Sequence, residues 1–329
     1  MKLTNTELQN FIGRIKLKRD NMPRYRDQVS NLINKLEKKI AEDDGSGLKV
    51  TKVIRSGSWK KGTILRSTGD NPIDVDLVFY VEGDDNILKD VESLHDAVVE
   101  YLGDIYPQKD ISKDVNAEGK TKSIKIQFSG TGLEIDIVPV IPLKDMDGYV
   151  WQPERGGGGK YITSVSGQLK FAKDAKDDNP SYTSIVRAIK WWRNYKELKG
   201  NSSKETLSSY TIELIVAYLD LNRGVEKNIE NGIIRFFEFL SSDEFPLIYF
   251  EGAMNDAPNS ADPAFVGDPT NNDNNTIKKM TNPFWKEVKK EANEAFETLC
   301  IAQARVGSGD TISEWKNVFG HHFNINQEN

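Results

Sequence analysis

The hydrophobic positions along this chain change period twice, and each change marks a different kind of element. Near the start, Leu8, Phe11, Ile12 and Ile15 recur at helical spacing, and Leu32, Ile33, Leu36 and Ile40 resume the stripe after Pro23. Thr4 followed by Glu7 has the form of a capping box, in which hydroxyl and carboxylate each satisfy a first-turn N–H. The spacing predicts one long or kinked helix over 5–42, ended by the Asp-Asp-Gly-Ser-Gly stretch at 43–47. The period then shortens. VTKVIRSG (50–57), IDVDLVFYV (73–81), SIKIQFSG (123–130) and LEIDIVPVI (133–141) predict four strands. A helix over 86–101 separates the second from the third, and Ser129-Gly130-Thr131-Gly132 predicts a hairpin turn between the last two.

From residue 165 the helical period returns. Ser181 is placed as the cap of a helix carrying Ile185, Ile189, Trp192 and Tyr195 on one stripe, and Ser208 or Ser209 starts another that stops at Gly224. Further helices fit 226–241, 283–305 and 311–319, the last with Thr311 and Glu314 as a second capping box. The stretch 252–275, rich in Asn, Asp and Pro, reads as irregular. The run Gly156–Gly159 lacks the Lys-Ser/Thr ending of a P-loop, so 147–160 reads as a mobile loop. The pattern is α+β: an N-terminal helix and mixed-sheet core over 1–165, then a helical domain over 166–329.

Composition narrows the classes of function. The 329 residues contain no run of eighteen apolar positions, which excludes a predicted membrane helix. The opening MKLTNTELQNF lacks a secretory leader's build, so a cytoplasmic protein is expected. Cys300 is the sole cysteine, which excludes an internal disulfide and argues strongly against a thiolate zinc site. His321 and His322 read as an exposed tail pair. A net charge of −6 argues against a strong nucleic-acid platform.

The candidate chemistry lies in two strands. Asp74 and Asp76 are two residues apart, so both carboxylates leave one face of their strand. Glu134 and Asp136 share a face of a later strand, and Asp136 joins the first pair if the strands are neighbours. Such a group repels itself unless a cation sits among the acids. Oxygen-only ligation favours Mg²⁺ or Mn²⁺, and two such ions suit an in-line phosphoryl displacement. Ile73, Val75, Leu77, Val78 and Phe79 flank the pair, and acids in so apolar a strand are costly unless paired or metal-bound. Upstream, Gly57-Ser58 ends a strand and can offer backbone N–H groups and a hydroxyl to an anion.

Together these parts resemble the polymerase-β-like nucleotidyltransferases, whose motif is Gly-Ser, then Asp-hydrophobic-Asp, then a third Asp on a later strand. GSWKKGTIL, LEIDIVPVIP, SSYTIELIVAYL and FVGDPTNNDNN are similar to the branch that holds oligoadenylate synthetases, cyclic GMP-AMP synthase and the bacterial cGAS/DncV-like enzymes. The resemblance implies a metal-dependent nucleotidyltransferase with two Mg²⁺ (or Mn²⁺) ions on Asp74, Asp76 and Asp136, and with NTP substrates, ATP first. It implies that Gly57 and Ser58 hold the β- and γ-phosphates, that Lys190 and Ser209 reach the phosphate tail, and that Tyr210 stacks on the donor base. Read alone, Lys190 is equally a surface lysine and Tyr210 equally a core aromatic. The absent zinc insertion points to the bacterial members, whose product is a cyclic di- or trinucleotide messenger of anti-phage defence. A linear oligoadenylate synthase, an RNA-terminal nucleotidyltransferase and a silent nucleotide-binding scaffold remain open, as does a regulatory protein partner.

Overall fold

The computed structural model describes residues 1–68, 71–83, 91–109, 111–113, 123–154, 159–198, 207–242, 244, 246–255, 264–278 and 280–326. These form two compact units, one of Leu17–Leu169 and one of Met1–Lys16 together with Lys170–Asn329.

The chain begins with α1 (Asn5–Ile15), part of the helical unit. Thr4 accepts from the Glu7 N–H, and the Glu7 carboxylate returns a bond to the Thr4 N–H at 2.8 Å, completing the expected capping box. The single helix expected over 5–42 is interrupted: Lys16 is extended (φ −76, ψ 154) and a 3₁₀ turn covers Arg19–Asn21. A new helix, α2 (Met22–Ala41), starts with Pro23 in its first turn. Proline has no N–H to continue an earlier helix but suits the first turn of a new one.

In the sheet unit, β1 (Lys49–Arg55) leads into the short α3 (Gly57–Lys61) and then β2 (Ile73–Glu82). After α4 (Val91–Ile105) come β3 (Ile111–Lys113), β4 (Ile124–Phe128) and β5 (Leu133–Pro142), with β6 (Val150–Glu154) and β7 (Gly159–Thr163) closing the unit. The order is β1-β2-β5-β4-β3, with β6 on the end of β5 and β7 beside β6. β2 and β5 run parallel at the centre, while β1 and β4 pair antiparallel on either side. Alternation then sorts the side chains. Ile73, Val75 and Leu77 pack with Leu133, Ile135, Ile137, Ile124 and Ile126 beneath Leu32 and Leu36 of α2 and Leu94 and Val98 of α4. The residues between them emerge on the opposite face. Residues 129–132 form the expected hairpin turn, with Gly132 at φ +66 and its N–H on the Phe128 carbonyl. Most of the run Gly156–Gly159, and Asn86 at the expected start of α4, lie outside the described residues.

The helical unit continues with α5 (Val165–Asp178), α6 (Tyr182–Tyr195), α7 (Ser209–Arg223), α8 (Ile229–Ser241), β8 (Leu247–Ile248), β9 (Phe265–Asp268), β10 (Asn271–Asn275), α9 (Asn282–Ala304) and α10 (Ser308–Phe319). Phe11 of α1 packs on Phe319 and Phe323, which also meet Trp315. Three local expectations change. Ser181 stands at the N-cap of α6 as expected, but its hydroxyl makes no cap bond and instead donates to the Lys227 carbonyl at 2.6 Å. Thr311 and Glu314 are not a capping box, because α10 starts at Ser308, where Thr311 donates to Ala302 O and Glu314 accepts from Arg305. The stretch 252–275 holds β9 and β10, built on side-chain amides: Asn272 both donates to and accepts from the Phe250 backbone. Among the described residues, no helix is long and apolar enough to cross a membrane.

Candidate active site

The parallel pairing of β2 with β5 sets Asp76 opposite Asp136 and Asp74 opposite Glu134. Asp74, Asp76 and Asp136 each offer a carboxylate oxygen, and these oxygens lie within 4.8 Å of one another. Asp74 Oδ1 is buried with no hydrogen-bond partner among the described residues. Burial, and then the charges of Asp76 and Asp136, hold the Asp74 carboxyl well above the usual carboxylate range. An orphaned buried oxygen in a set of converging carboxylates fits a hard divalent cation.

Gly57 stands against this cluster. It has φ +59, and a Cβ built there would fall 1.6 Å from Asp76 Oδ2. Only glycine accepts both that backbone conformation and that approach. The Ser56 N–H donates to the Asp76 carbonyl at 2.8 Å, tying the strand end to β2, and Ser58 follows in the first turn of α3. Gly57 and the three aspartates are therefore brought together, with Ser58 next in the chain.

Lys190, Ser209 and Tyr210 belong to the helical unit. Lys190 is buried at 4% exposure, so it is not a solvated surface lysine. Ser208, not Ser209, caps α7 by accepting from the Thr211 N–H, and the Ser209 hydroxyl accepts from Arg193 Nη1 at 3.3 Å. The Tyr210 hydroxyl is buried, and burial first, then Asp268 and Glu213, raises its pKa well above the ordinary phenol value.

Sequence reasoning missed Lys125. It lies on β4 directly opposite Asp136, and its Nζ pairs with Glu134 Oε2 at 3.0 Å. The signal was present in SIKIQF, where Ile124, Ile126 and Phe128 face the core and put Lys125 on the acids' side. Burial pulls the Lys125 ammonium down, but Asp136, Glu134 and Asp74 outweigh it and hold the pKa above its ordinary value.

The comparisons with known proteins agree with this geometry. Residues 1–175 match the family model described as the Second Messenger Oligonucleotide or Dinucleotide Synthetase domain. The chain is 32% identical over 326 residues to the CBASS oligonucleotide cyclase CdnC of Escherichia coli (strain KTE188), covering 99% of each. It is 31% identical over 306 residues to the cyclic AMP-AMP-AMP synthase of E. coli (strain MS 115-1), covering 91% of each. Solved structures of E. coli MS115-1 CdnC, with ATP and in complex with HORMA-deltaN, superpose with TM-scores of 0.77 and 0.75 at 28% identity, over 98% of this chain and 99% and 98% of theirs. With its acidic cluster on the sheet and these matches along nearly its whole length, the chain belongs to the second messenger oligonucleotide or dinucleotide synthetase family and is a nucleotidyltransferase of the bacterial cGAS/DncV-like group.

Proposed function

We propose that this enzyme joins nucleoside triphosphates, ATP first among them, into a cyclic oligonucleotide that signals phage infection. The convergence of Asp74, Asp76 and Asp136 around a buried, unsatisfied carboxylate oxygen carries the reading. The names of the relatives support the cyclic product, and the ATP-bound CdnC supports the substrate.

A ribose hydroxyl oxygen attacks the α-phosphorus of an NTP, the bond to the β-phosphate oxygen breaks, and pyrophosphate leaves. Asp136 accepts the hydroxyl proton. Asp74 and Asp76 would hold two Mg²⁺ or Mn²⁺ ions with Asp136. Those ions, when bound, supply charge stabilisation for the attacking and leaving oxygens. Ser58 and the backbone beside it hold the β- and γ-phosphates, with Gly57 letting the backbone approach closely. Lys190, Ser209 and Tyr210 serve the phosphate tail and the donor base. Ring closure is the same transfer made within the chain: a ribose hydroxyl of the last nucleotide attacks the α-phosphorus of the first, which still carries its triphosphate, and pyrophosphate leaves. A protein partner is the first class of regulator to test, since the relative CdnC was solved with HORMA-deltaN.

The test is incubation with labelled ATP, GTP, CTP and UTP and Mg²⁺ or Mn²⁺, with phosphatase digestion and mass spectrometry, beside an Asp74→Asn/Asp76→Asn control. A phosphatase-resistant product missing from the control is expected. A linear product would overturn the cyclic reading, and product formed equally by the control would overturn the assigned carboxylates.

A further inference from the structure

Among the described residues, the acid-bearing face of the sheet carries a cation beside the carboxylates, Lys125, that the reaction scheme does not use. Its geometry is a grid set by strand register. On β4, Lys125 opposes Asp136 and Gln127 opposes Glu134; on β2, Asp76 opposes Asp136 and Asp74 opposes Glu134. Four carboxylates of this grid therefore lie beside the Lys125 ammonium. The ammonium does not take the short pair with Asp136 directly across from it. It reaches diagonally to Glu134 at 3.0 Å, a distance open to a long side chain on neighbouring strands. Both groups are largely shielded from water, with side-chain exposures of 27% and 16%, so their fields are poorly screened.

We propose that Lys125 is the built-in counter-cation of the acidic cluster, held by Glu134 at a fixed distance so that it offsets the carboxylate charge before metal binds and sets how tightly metal binds. The inference rests on the metal reading of Asp74, Asp76 and Asp136 given above. The logic is electrostatic substitution. With no divalent ion present, Lys125 compensates the acids that β2 and β5 force together. When a divalent ion arrives, the same positive charge repels it. Affinity is thereby kept low enough for exchange at each round of synthesis, and Glu134 keeps Lys125 from moving onto Asp136. An uncharged side chain at 125 would leave a more negative, less stable site that binds metal more tightly. A lysine serving only to hold β4 against β5 would behave in the opposite way, since its loss would loosen the site and weaken metal.

The experiment is Mn²⁺ titration of the whole, nucleotide-free protein by electron paramagnetic resonance, with melting temperatures taken with and without the ion. Lys125→Met is expected to lower the Mn²⁺ Kd about tenfold, to lower the metal-free Tm and to enlarge the Tm rise on adding Mn²⁺. Lys125→Arg should stay near wild type. Glu134→Gln, which releases Lys125 toward Asp136, should raise the Kd. If Lys125→Met does not fold, Lys125→Gln and Glu134→Gln decide the matter by the same shifts. Weaker or unchanged Mn²⁺ binding in the neutral Lys125 variants would overturn the counter-cation role while leaving the metal site intact. Failure of wild type to bind Mn²⁺ at all, matching an Asp74→Asn control, would instead bring down the metal reading itself.

Discussion

Buried acids occur in both units of this protein, and the two units treat them differently. In the helical unit, Asp220 pairs with Arg235, accepts from the Asn179 amide at 2.7 Å and accepts from the Glu226 N–H at 3.1 Å. Asp268 accepts from both the N–H and the hydroxyl of Thr270 at 2.8 Å. These carboxylates are consumed by structure. On the sheet, Asp74 keeps a buried oxygen with no hydrogen-bond partner among the described residues, and its carboxyl is pushed up by burial and by two neighbouring acids. A site that raises the energy of its own charged groups is held for a ligand, because nothing in the fold itself benefits from it.

Removing one acid from each region sharpens this contrast, since activity and stability should move in opposite senses. Asp74→Asn should cut nucleotide transfer by about a thousandfold. Its metal-free Tm should nonetheless rise by about 3 °C, as a repelled charge is lost. The sign follows from the raised carboxyl: its ionised form costs stability above the unfolded pKa, and the neutral amide does not. Calorimetry in chelator beside a pyrophosphate-release assay reads both, and a lower metal-free Tm would place Asp74 among the structural acids.

Asp220→Asn should do the reverse. It strands the Arg235 guanidinium, whose side chain is 14% exposed, and should cost about 3 kcal/mol in urea unfolding. Activity per folded molecule should stay at the wild-type level. A loss of turnover without a loss of stability would show that this pair is more than a brace.

Next in size is Gly57→Ala. The added methyl must displace Asp76 and also sits at φ +59, so a cost of about 2 kcal/mol is expected together with impaired transfer. Moving the same change to Gly62, whose φ is +76 but whose Cβ would meet nothing within 4 Å, should affect stability alone. Equal activity losses at the two positions would deny any special role to the Gly57–Asp76 approach.

How far such contrasts were legible in the sequence depends on how local their causes are. The β2 acids, the turn at 129–132 and the Thr4–Glu7 box are set by residues a few positions apart, and each could be read directly. The parallel pairing of β2 with β5 is not local. Sequence gave Asp136 a conditional place, and register alone set it opposite Asp76. Local alternation in SIKIQF could place Lys125 on a polar face, but its pairing with Glu134 was not legible, since that partner lies across a strand boundary. The Asn-rich stretch 252–275 hid its strands because Asn272, Asn275 and Asp268 make side-chain bonds to backbone, where ordinary strands show apolar alternation. Lys190, Ser209 and Tyr210 rested on resemblance, with no local pattern to set their roles.

The smallest expected effect tests whether every buried acid of the helical unit is as well satisfied as Asp220. Glu230 is fully buried and accepts from the Leu3 N–H at 3.3 Å. Burial raises its pKa, while the Leu3 N–H, Gln303 and Lys2 pull it back down. With the folded value above the unfolded one, its contribution to stability is complete below the unfolded pKa and is lost as pH rises through the folded pKa. Glu230→Gln keeps an acceptor for Leu3 and removes the titration. The variant should therefore match wild type at acid pH and gain on it, by less than about 1 kcal/mol, as pH rises to neutrality. Urea midpoints at pH 4 to 8 would show the two curves separating in that direction. If wild type is instead the more stable at neutral pH, attraction to Lys2 outweighs burial, and Glu230 joins Asp220 as an acid the fold depends on.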